Sequence, residues 1–391
     1  MKETNMAENK QYHNSTALVH KGRRHLVSNV VNVPPYRGST VLFPDTEALQ
    51  QSAQLTKDDF RYGRKGSPTH VALQEQLCAI SGAEDCQLHP SGLAAIWNAL
   101  VSFMKPGGLI LACDNVYGPA RAALKDIAKK FQGSVIFHPG TEPPSRAELP
   151  TSPCIIYCES PGSLTFEIQN LKAWVQLAKE VDAISMIDNT WATPLGLNSL
   201  GIGFDVDIQA LTKYPSGHSD VLMGATLTNS SHGQVITRHI HLSGVHVGPD
   251  DIYFVSRGLR TMASRLETQT VASTKIASWL QDHESVAAVF HPCLTTHPQH
   301  HYYQEYFTGG SGLFSIQLHQ HHSEATNTFI DRLELFGIGY SWGGFESLAI
   351  PVYASTLDHR SQNNFPGDLI RLHIGLENIQ DLCGDLEQAL S

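Results

Sequence analysis

The sequence predicts an α/β fold, with a large domain built on a mainly parallel sheet and a smaller C-terminal α+β domain. Short apolar runs that are typical of strands alternate with helical stretches through the middle of the chain. This alternation indicates a parallel sheet covered by helices on both faces. Beyond position 256 the pattern changes to a long helix followed by isolated strands and helices. We therefore predict an N-terminal arm over residues 1–60, a large domain over 61–256 and a small domain over 257–391.

The strands of the large domain are predicted from short apolar runs. They lie at 109–113, 134–138, 154–159, 184–188, 206–212 and 220–229. Two helices are predicted between them, from Ala120 to Phe131, where apolar residues follow the helical repeat, and from Leu171 to Val181. The first sixty residues show weak periodicity. We interpret them as an arm that wraps a neighbouring subunit, with Pro34-Pro35 as a stiff hinge.

The small domain is predicted to begin with its longest helix. The predicted elements are a helix from Met262 to Gln281, a strand over Phe314 to Leu318, a helix from Glu324 to Leu335, a strand around Leu369 to Ile374 and a terminal helix from Asn378. No internal repeat or low-complexity tract interrupts this order.

Composition and charge favour an ordinary soluble globular protein. The chain has 391 residues, of which 41% are hydrophobic and 16% are charged, and this is enough for two domains with a substantial core. The 27 basic and 37 acidic side chains give a formal net charge of −10, which argues against nucleic acid or an anionic membrane as a partner. Because residues 1–14 are polar and no run approaches transmembrane length, we expect a cytoplasmic protein.

Cysteines and histidines give little support for a metal site. The 7 cysteines are an odd number in a large chain without a secretory signal, which indicates reduced thiols. Cys154 and Cys158 share one face of a predicted strand, but no second ligand pair follows them. Two histidine clusters match no usual zinc spacing, so we interpret them as surface histidines and predict no metal. These clusters are His297/His300/His301 and His319/His321/His322.

The segment Leu211-Thr212-Lys213-Tyr214-Pro215-Ser216-Gly217 is the most informative part of the sequence. It places a lysine just past an apolar run and before a turn that contains glycine. A lysine between a threonine and an aromatic ring in this position is expected to lose hydration, which lowers its pKa and lets it form a Schiff base. For an isolated Thr-Lys-Tyr, the alternative is a surface lysine after a strand.

A second predicted strand, Ile184 to Asp188, ends in an acid. The carboxyl ends of parallel strands line the ligand crevice of an open sheet, so we expect Asp188 and Lys213 to face one cavity. A pyridoxal phosphate (PLP) enzyme needs this pair, because the lysine holds the aldehyde and an aspartate keeps the pyridine nitrogen protonated. Alone, Asp188 would be interpreted as a carboxylate at a strand end or a helix N-cap.

Two further segments are candidates for binding a phosphate. Gly92 and Leu93 lie in a Ser-Gly turn that leads into a predicted helix, where backbone N–H groups and the helix dipole favour an anion. Tyr62 and Arg64 lie in a glycine-flanked basic segment, which suits phosphate or carboxylate oxygens. A solvated basic turn is the alternative for the second segment.

Taken in order, these motifs resemble those of the Cys/Met-metabolism family of PLP enzymes nearly from end to end. Within the family the chain is most similar to bacterial cystathionine β-lyases. The resemblance implies a PLP-dependent transferase-like fold (fold type I), with pyridoxal 5'-phosphate as cofactor and a small amino acid as substrate. It rests on Leu18-Val19-His20-Lys21-Gly22-Arg23, Tyr62-Gly63-Arg64, Glu159-Ser160-Pro161-Gly162-Ser163, Ile187-Asp188-Asn189-Thr190-Trp191, the lysine segment and Arg371-Leu372-His373-Ile374-Gly375-Leu376-Glu377.

The resemblance also implies roles for individual residues. Tyr117 would stack on the cofactor ring, and Thr212 would contact the phosphate through its hydroxyl. Tyr62 and Arg64 would reach the phosphate from a neighbouring subunit, so the active site would require at least a dimer, and we predict a homotetramer with shared active sites. Arg371 would pair with the substrate α-carboxylate. The substrate side would be lined by Tyr340, Ser341 and Trp342.

The segment Tyr340-Ser341-Trp342-Gly343-Gly344 favours β-elimination over γ-chemistry. Similar γ-synthases and γ-lyases typically carry Glu-Ser-Leu-Gly-Gly here, where the glutamate suits a substrate ammonium group. Methionine γ-lyases tend to carry a cysteine soon after the stacking tyrosine, whereas Gly118-Pro119 follows Tyr117 in this sequence. The resemblance therefore implies a carbon–sulfur β-lyase of methionine biosynthesis that cleaves L-cystathionine to homocysteine, pyruvate and ammonia.

Two departures from the family pattern leave alternatives open. Lys65 stands where these β-lyases carry a second arginine, so a point charge replaces a bidentate fork in holding the far end of a long substrate. Pro215 stands where an aliphatic residue commonly follows Lys-Tyr, and it stiffens the loop. The alternatives are a broader cysteine-S-conjugate lyase or cysteine desulfhydrase, a γ-lyase or γ-synthase, and a non-catalytic PLP-fold regulator.

Overall fold

A seven-stranded sheet forms the centre of the large domain in the computed structural model, which describes residues 12–23, 30–54, 60–357, 360 and 366–391. Across the sheet the strands follow the order β1-β7-β6-β5-β4-β2-β3. Among these strands only β7 runs antiparallel to its neighbours, so the prediction of a mainly parallel sheet is confirmed. In chain order they are β1 (Asp85–His89), β2 (Leu109–Cys113), β3 (Ser134–His138), β4 (Pro153–Glu159), β5 (Ile184–Asp188), β6 (Val206–Ala210) and β7 (Gly224–Thr228).

Helices accompany this sheet, and several of them pack against it. In the described part of the chain they are α1 (Asn14–His20), α2 (Thr46–Gln51), α3 (Pro68–Ser81), α4 (Gly92–Phe103), α5 (Gly118–Lys130), α6 (Leu171–Val181), α7 (Thr193–Gly196), α8 (Ser199–Ile202) and α9 (Ser230–Ser243). Helix α4 contacts β6 and β7, α3 contacts β1, and α6 contacts β4. Ser91 caps α4, because its Oγ accepts a hydrogen bond from the N–H of Ala94 at 3.0 Å.

The C-terminal domain is built on a second sheet, which follows one long helix. Its strand order is β10-β11-β12-β9-β8, and β10 and β11 pair in parallel while the other neighbours are antiparallel. This is the predicted α+β arrangement. The elements are α10 (Pro249–Gln281), β8 (Val286–Phe290), α11 (His300–Tyr306), β9 (Leu313–Leu318), α12 (Ser323–Arg332), β10 (Gly337–Ile338), β11 (Leu348–Val352), α13 (Ala354–Leu357), β12 (Leu369–His373) and α14 (Ile379–Leu390).

Several predicted bounds differ from the structure for physical reasons. Strand β6 ends at Ala210 rather than at 212, because the chain turns there and the N–H of Lys213 donates to the Ala210 carbonyl at 3.1 Å. The strand predicted at 220–229 is confined to β7. Helix α12 ends at Arg332 rather than at 335, since Leu333 has an extended backbone. Helix α10 begins at Pro249, well before the predicted start, because proline is favourable in the first helical turn.

Sequence reasoning missed β1, an edge strand with polar side chains that are nonetheless buried. Asp85, Gln87 and His89 alternate with apolar residues and are each at most 8% exposed. They are buried because they bond to one another and to neighbouring elements: Gln87 Nε2 donates to Asp85 Oδ2 at 3.1 Å and to Thr237 Oγ1 at 2.7 Å. Strands β8, β10 and β11 and helices α3 and α9 were missed as well.

Part of the predicted N-terminal arm packs against its own chain. Leu18 of α1 is buried, and α1 contacts α3 and α10. Arg260 of α10 donates through Nη1 to the carbonyls of Leu18, Val19 and Lys21 at 2.7, 2.9 and 2.8 Å, which satisfies acceptors at the C-terminal end of α1. The contact of the arm with a neighbouring subunit stays a prediction, and part of the arm lies outside the described residues.

The interpretation of both histidine clusters as surface histidines is wrong for His297. Its side chain is 5% exposed, and Nδ1 accepts a hydrogen bond from the N–H of Gln299 at 3.2 Å. His319 and His322 are exposed. The described residues contain no group of three or more His, Cys, Asp or Glu side chains suited to a metal. The helices described above include none with both the length and the apolar character needed to cross a membrane.

Helix α10 links the two domains and passes directly against the turn that carries Lys213. The predicted boundary between residues 256 and 257 lies within this helix. A methyl group on Gly258 would lie 2.2 Å from the carbonyl oxygen of Ser216 and 2.4 Å from that of Pro215. Only glycine permits this approach, so α10 fixes the position of the turn that carries Lys213.

We expect Gly258→Ala to lower the thermal unfolding midpoint of the protein. The added methyl group overlaps two backbone oxygens, which cannot move without displacing the Lys213 turn. Overpacking of this kind costs about 1–3 kcal/mol. Thermal unfolding followed by circular dichroism measures the shift.

Gly384→Ala is the matched control, because it also replaces a helical glycine by alanine. In α14 nothing lies within 4 Å of the added methyl group, and alanine is favoured in a helix by roughly 0.5–1 kcal/mol. The thermal unfolding midpoint of this variant should equal or exceed that of the wild type. Equal midpoints for Gly258→Ala and the wild type would contradict the close contact between α10 and the turn.

Candidate active site

Three neighbouring strands of the large sheet place polar side chains at one edge. Strand β4 ends at Glu159, β5 ends at Asp188, and β6 leads into the turn that carries Lys213. Glu159 lies opposite Asp188 in the register of the two strands. The charges of Asp188 and Lys213 are close enough to interact. Their positions agree with the rule that ligands bind at the carboxyl ends of parallel strands.

The Lys213 amine is held by two residues of the small domain. Its Nζ donates to Ser341 Oγ at 2.7 Å and lies 5.1 Å from the centroid of the Trp342 ring, which is within cation–π range. The Tyr214 ring packs against the same indole, with 5.5 Å between ring centroids. The amine is therefore enclosed between its own turn and one short segment of the small domain.

Lys213 has a lowered pKa. Burial lowers it to about 8, with the positive charge of Arg371 acting in the same direction and the carboxylate of Asp188 opposing both. A pKa this close to neutral leaves part of the amine unprotonated at physiological pH. An unprotonated amine is required for a lysine to act as a nucleophile or a base.

Two carboxyl groups lie side by side, and each has a different hydrogen-bond partner. Asp188 Oδ1 accepts from the N–H and the Oγ1 of Thr190 at 3.0 and 2.6 Å. Burial raises the pKa of Asp188, while the Thr190 bonds lower it. Burial and the charge of Asp188 raise the pKa of Glu159 well above its usual range. Burial and the neighbouring charge therefore act against a second negative charge at Glu159.

The start of α4 forms a narrow backbone cradle against β6. A methyl group on Gly92 would lie 2.7 Å from Cβ of Ala210, so only glycine lets the helix begin there. The N–H groups of Gly92 and Leu93 stand in the first turn, where no intrahelical carbonyl can accept them. Because the helix dipole adds positive potential at this end, the cradle suits a phosphate.

Thr212 is bonded within its own turn. Its Oγ1 donates to the Met223 carbonyl at 3.2 Å and accepts from the Met223 N–H at 3.0 Å. A hydroxyl has one hydrogen to donate. A hydrogen bond from Thr212 to a phosphate oxygen would therefore replace the one to Met223, and the predicted phosphate contact stays a prediction.

Arg371 lies on β12, and its positive charge acts on Lys213. Its Nη2 donates to the Ser341 carbonyl at 2.9 Å. Burial lowers the pKa of Arg371 to about 10, which still leaves the guanidinium charged at neutral pH. The same charge acts on Tyr117, whose N–H donates to Glu159 Oε2 at 2.6 Å. Tyr117, Arg371 and Lys213 are thus grouped with the two carboxyls around one space.

The segment 341–346, called the 341–346 loop below, lies directly on the Lys213 turn. Ser341 has a φ of 77°, a conformation that is strained for a residue with a Cβ. Gly343 has a φ of +87°, and a methyl group there would lie 2.9 Å from the backbone nitrogen of Tyr214. Trp342 lies beside the amine, whereas Tyr340 is 91% exposed in this chain.

Tyr62 and Arg64 are presented at a surface turn near α9. Tyr62 is 47% exposed, and Arg64 Nη1 donates to the carbonyl of His241 at 2.8 Å. The turn is tightly packed, since a methyl group on Gly63 would lie 2.0 Å from the carbonyl oxygen of Gly38. The predicted contact of Tyr62 and Arg64 with the cofactor of a neighbouring subunit stays a prediction.

Two residues at this site were not predicted to act there. Glu159 was noted only as part of a motif, although it ends a strand as Asp188 does, and that signal would have found it. His373 is fully buried, and its Nε2 accepts a hydrogen bond from the Gly343 N–H at 3.0 Å. Its position two residues after Arg371 on one strand places both side chains on the same face of the sheet, which is a further sequence signal.

The residues of this space fit pyridoxal 5'-phosphate. Lys213 offers an amine of lowered pKa for the aldehyde, and Asp188 offers a buried carboxylate for the pyridine nitrogen. The Gly92 cradle, which a Cβ would fill, suits the phosphate. The Arg371 guanidinium suits the carboxylate of an amino acid.

Fold and site thus define a PLP-dependent enzyme of fold type I. The sequence matches the Cys/Met metabolism PLP-dependent enzyme family over residues 15–391, and the chain belongs to that family. Its cofactor is accordingly pyridoxal 5'-phosphate. Both the family and the cofactor predicted from the motifs are confirmed.

Known proteins similar to this chain catalyse different reactions. The cystathionine beta-lyase of Haemophilus influenzae is 36% identical over 389 residues, which cover 96% of this chain and 98% of that protein. The L-alanine/L-glutamate racemase of Wolbachia pipientis wMel is 35% identical over 373 residues, covering 92% of each chain. The structure of the cystathionine gamma synthase of Xanthomonas oryzae pv. oryzae with aminoacrylate and cysteine has a TM-score of 0.90 at 28% identity, covering 97% of this chain and 98% of that one.

We expect the Lys213 amine of the cofactor-free protein to become reactive around pH 8, where its lowered pKa leaves half of it unprotonated. Surface lysines should do so near their ordinary pKa of about 10.4. Competitive labelling of amines at a series of pH values, read out by mass spectrometry of the peptides, measures both midpoints in one sample.

Two variants test the causes of this shift. Asp188→Asn removes the charge that raises the pKa of Lys213, so its labelling midpoint should fall. Arg371→Met removes a charge that lowers the pKa, so the midpoint should rise. A Lys213 midpoint that coincides with those of surface lysines in the wild type would contradict the burial of the amine.

Proposed function

We propose that this chain is a carbon–sulfur β-lyase that cleaves L-cystathionine to homocysteine, pyruvate and ammonia. The observation that carries the proposal is the Lys213 amine, which lies between Ser341 and Trp342 beside Arg371. Positions 340–342 contain no acidic side chain. Relatives with 36% identity to this chain are named cystathionine beta-lyases, which supports the same activity here.

Arg371 would bind and orient the substrate. Its guanidinium matches the α-carboxylate in a bidentate manner, and β12 is paired with strands on both sides, which makes it a rigid support. Fixing the carboxylate in this way directs the Cα–H bond of the substrate toward Lys213. Correct positioning of reacting groups lowers a barrier by several kcal/mol.

Lys213 would move one proton between two atoms of the substrate. Its unprotonated amine removes the Cα proton, and PLP supplies the electron sink for the charge that develops there. The ammonium so formed then protonates the sulfur as the Cβ–S bond breaks, so homocysteine leaves as a neutral thiol. The remaining aminoacrylate hydrolyses to pyruvate and ammonia. A pKa of about 8 suits both directions of this transfer.

Asp188 would hold a proton on the pyridine nitrogen of the cofactor. The two hydrogen bonds from Thr190 fix the orientation of its carboxylate. Burial and the charge of Asp188 raise the pKa of the neighbouring Glu159, which disfavours a second negative charge beside the ring nitrogen.

The residues near the Lys213 amine favour loss of a thiol from Cβ over γ-chemistry. Trp342 gives the thioether of cystathionine an apolar surface beside the amine. Tyr340 stands where γ-processing members of the family typically carry a glutamate. The absence of that carboxylate removes a charged hydrogen bond of about 1.5–3 kcal/mol to a substrate ammonium group.

A product assay tests the proposal. The protein loaded with PLP is incubated separately with L-cystathionine, L-cysteine, L-methionine and L-alanine, and all products are quantified by mass spectrometry. From cystathionine we expect homocysteine, pyruvate and ammonia in equal amounts, with little 2-oxobutyrate. Lys213→Ala should lower turnover by several orders of magnitude, whereas the exposed Lys275→Ala should not. Borohydride reduction should attach the cofactor to the Lys213 peptide.

Other product patterns would replace the β-lyase proposal. Cysteine and 2-oxobutyrate from cystathionine would indicate a γ-lyase. Sulfide from cysteine at a higher rate than homocysteine from cystathionine would indicate a cysteine desulfhydrase. D-Alanine from L-alanine as the main activity would indicate a racemase, the reaction for which one relative is named. Cofactor attached at Lys213 without any product would indicate a regulator.

We also propose a homotetramer in which Tyr62 and Arg64 complete the active site of a neighbouring subunit. A phenol that is 47% exposed and a guanidinium anchored through one nitrogen to the His241 carbonyl are presented together on one tight turn. Both groups suit phosphate oxygens. Their exposure supports a contact with another subunit, which would bring them to the cradle at Gly92.

Mixing two inactive variants should restore activity if sites are shared. Lys213→Ala lacks the amine and Arg64→Ala lacks the donated guanidinium, so a hybrid dimer contains one complete site. Random mixing makes half of the dimers hybrids, and about a quarter of wild-type activity should return. Activity after joint unfolding and refolding measures this recovery.

The matched control is a mixture of Lys213→Ala with Arg371→Met. Both residues belong to the same site of one chain, so no hybrid contains a complete site and no activity should return. Recovery in neither mixture would contradict the sharing of sites. Size-exclusion chromatography with light scattering determines the assembly independently.

A further inference from the structure

His373 bonds to two backbone groups of the 341–346 loop. Its ring is fully buried on β12. Nε2 accepts from the N–H of Gly343 at 3.0 Å, and Nδ1 lies 3.0 Å from the carbonyl oxygen of Glu346. A single side chain thus bonds to the backbone in the middle of the 341–346 loop and at its C-terminal end.

The two partners determine the tautomer of His373. The Gly343 N–H can only donate, so Nε2 must carry a lone pair. The Glu346 carbonyl can only accept, so Nδ1 must carry the hydrogen. His373 is therefore neutral with its hydrogen on Nδ1. A second proton, on Nε2 of His373, would point at the N–H of Gly343 and break that hydrogen bond.

The surroundings of His373 maintain this neutral state. Burial lowers its pKa to about 3, the Glu346 carbonyl opposes that effect, and the charges of Arg371 and Lys213 lower the pKa further. The Tyr214 ring packs beside His373, with 6.2 Å between the two ring centroids. The ring should therefore stay neutral at physiological pH, where both hydrogen bonds persist.

The loop that His373 holds carries the groups that enclose the Lys213 amine. Ser341 and Trp342 directly precede Gly343. The Lys213 Nζ lies 2.7 Å from Ser341 Oγ and 5.1 Å from the centroid of the Trp342 ring. The strained φ of 77° at Ser341 needs support from its surroundings to persist. The Gly343 bond to His373 provides this support two residues away.

Resting on the proposed role of Lys213, we propose that His373 is a positioning residue, whose acceptor nitrogen holds Gly343 and thereby sets the desolvation of the Lys213 amine. It touches neither the substrate nor the cofactor in this scheme. It acts through the 341–346 loop, which releases Lys213 to water when the Gly343 bond is lost. The reactivity of the amine therefore depends on a side chain of the small domain.

Three substitutions separate the two hydrogen bonds of His373. In His373→Gln the amide oxygen reaches the position of Nε2 and can still accept from Gly343. His373→Asn is shorter and reaches only the position of Nδ1, so it can donate to Glu346 but loses the Gly343 bond. His373→Leu removes both bonds and keeps an apolar group of similar bulk.

The measurement is the pH midpoint for labelling of Lys213 in the full-length, cofactor-free chain, together with kcat and KM of the PLP-loaded enzyme. His373→Asn and His373→Leu should move the midpoint upward, toward the ordinary value of lysine, because the amine regains water. Their kcat should fall about tenfold or more. His373→Gln should keep the wild-type midpoint and stay within about threefold of the wild-type kcat.

His291→Leu is the matched control for general loss of stability. His291 is also fully buried, and it bridges the N–H of Cys293 and Ser273 Oγ at 3.1 Å each, neither of which belongs to the 341–346 loop. It should lower the unfolding midpoint as His373→Leu does, yet leave the Lys213 labelling midpoint unchanged.

Three outcomes would overturn the proposal. They are an unchanged Lys213 midpoint in His373→Asn, an equal shift in His291→Leu, and a shift in His373→Gln as large as that in His373→Asn. If His373→Leu fails to fold, the comparison of Gln with Asn decides. The labelling requires neither cofactor nor substrate, so its result stays separate from a failure of the β-lyase proposal, which the products reveal.

Discussion

The backbone contact between Gly343 and the Lys213 turn is the constraint on which the rest of the site depends. Two main-chain segments meet there at a distance that excludes any side chain on residue 343. The Lys213 amine itself is buried, and its burial lowers its pKa. The same contact brings Ser341 to the amine and the Ser341 carbonyl to Arg371.

This arrangement divides the site between a reacting part and a supporting part. The large domain provides the amine, the carboxyls and the phosphate cradle at the ends of strands and at the start of α4. The small domain provides Arg371 and the 341–346 loop. Helix α10 keeps the two parts in register, because Gly258 lies against the backbone of the Lys213 turn. A change in the relative position of the domains would therefore alter the reactivity of Lys213 without requiring a change in the structure of the sheet.

The sequence predicted those features that local pattern determines. Asp188 ends an apolar run, and Lys213 follows another, so the open-sheet rule placed both at one edge. The same rule applies to Glu159, which was passed over because its strand was considered for its cysteines. Strand β1 was missed because its polar residues are satisfied in part by partners far away in the chain, such as Thr237.

Contacts between distant segments could not be predicted. Ser341 meets Lys213 across 128 positions of sequence, and nothing in the local pattern of either segment specifies the other. The hydrogen bond between the Thr212 hydroxyl and the Met223 carbonyl, 11 positions along the chain, likewise follows from the fold and not from the local pattern. His297 looked like a surface histidine because its spacing was considered without the fold that buries it.

The pairing of β1 with β7 has a consequence for how the chain is made. In the described sheet β1 lies at the edge, and its one neighbour is β7, whose residue Thr228 pairs with Asp85. On a ribosome, β1 therefore emerges roughly 140 residues before its partner exists, with its backbone groups unpaired through that interval. Chains released early, before Gly224–Thr228 is synthesised, would expose this strand to other chains. A truncated product of this gene should therefore aggregate rather than fold into a smaller domain.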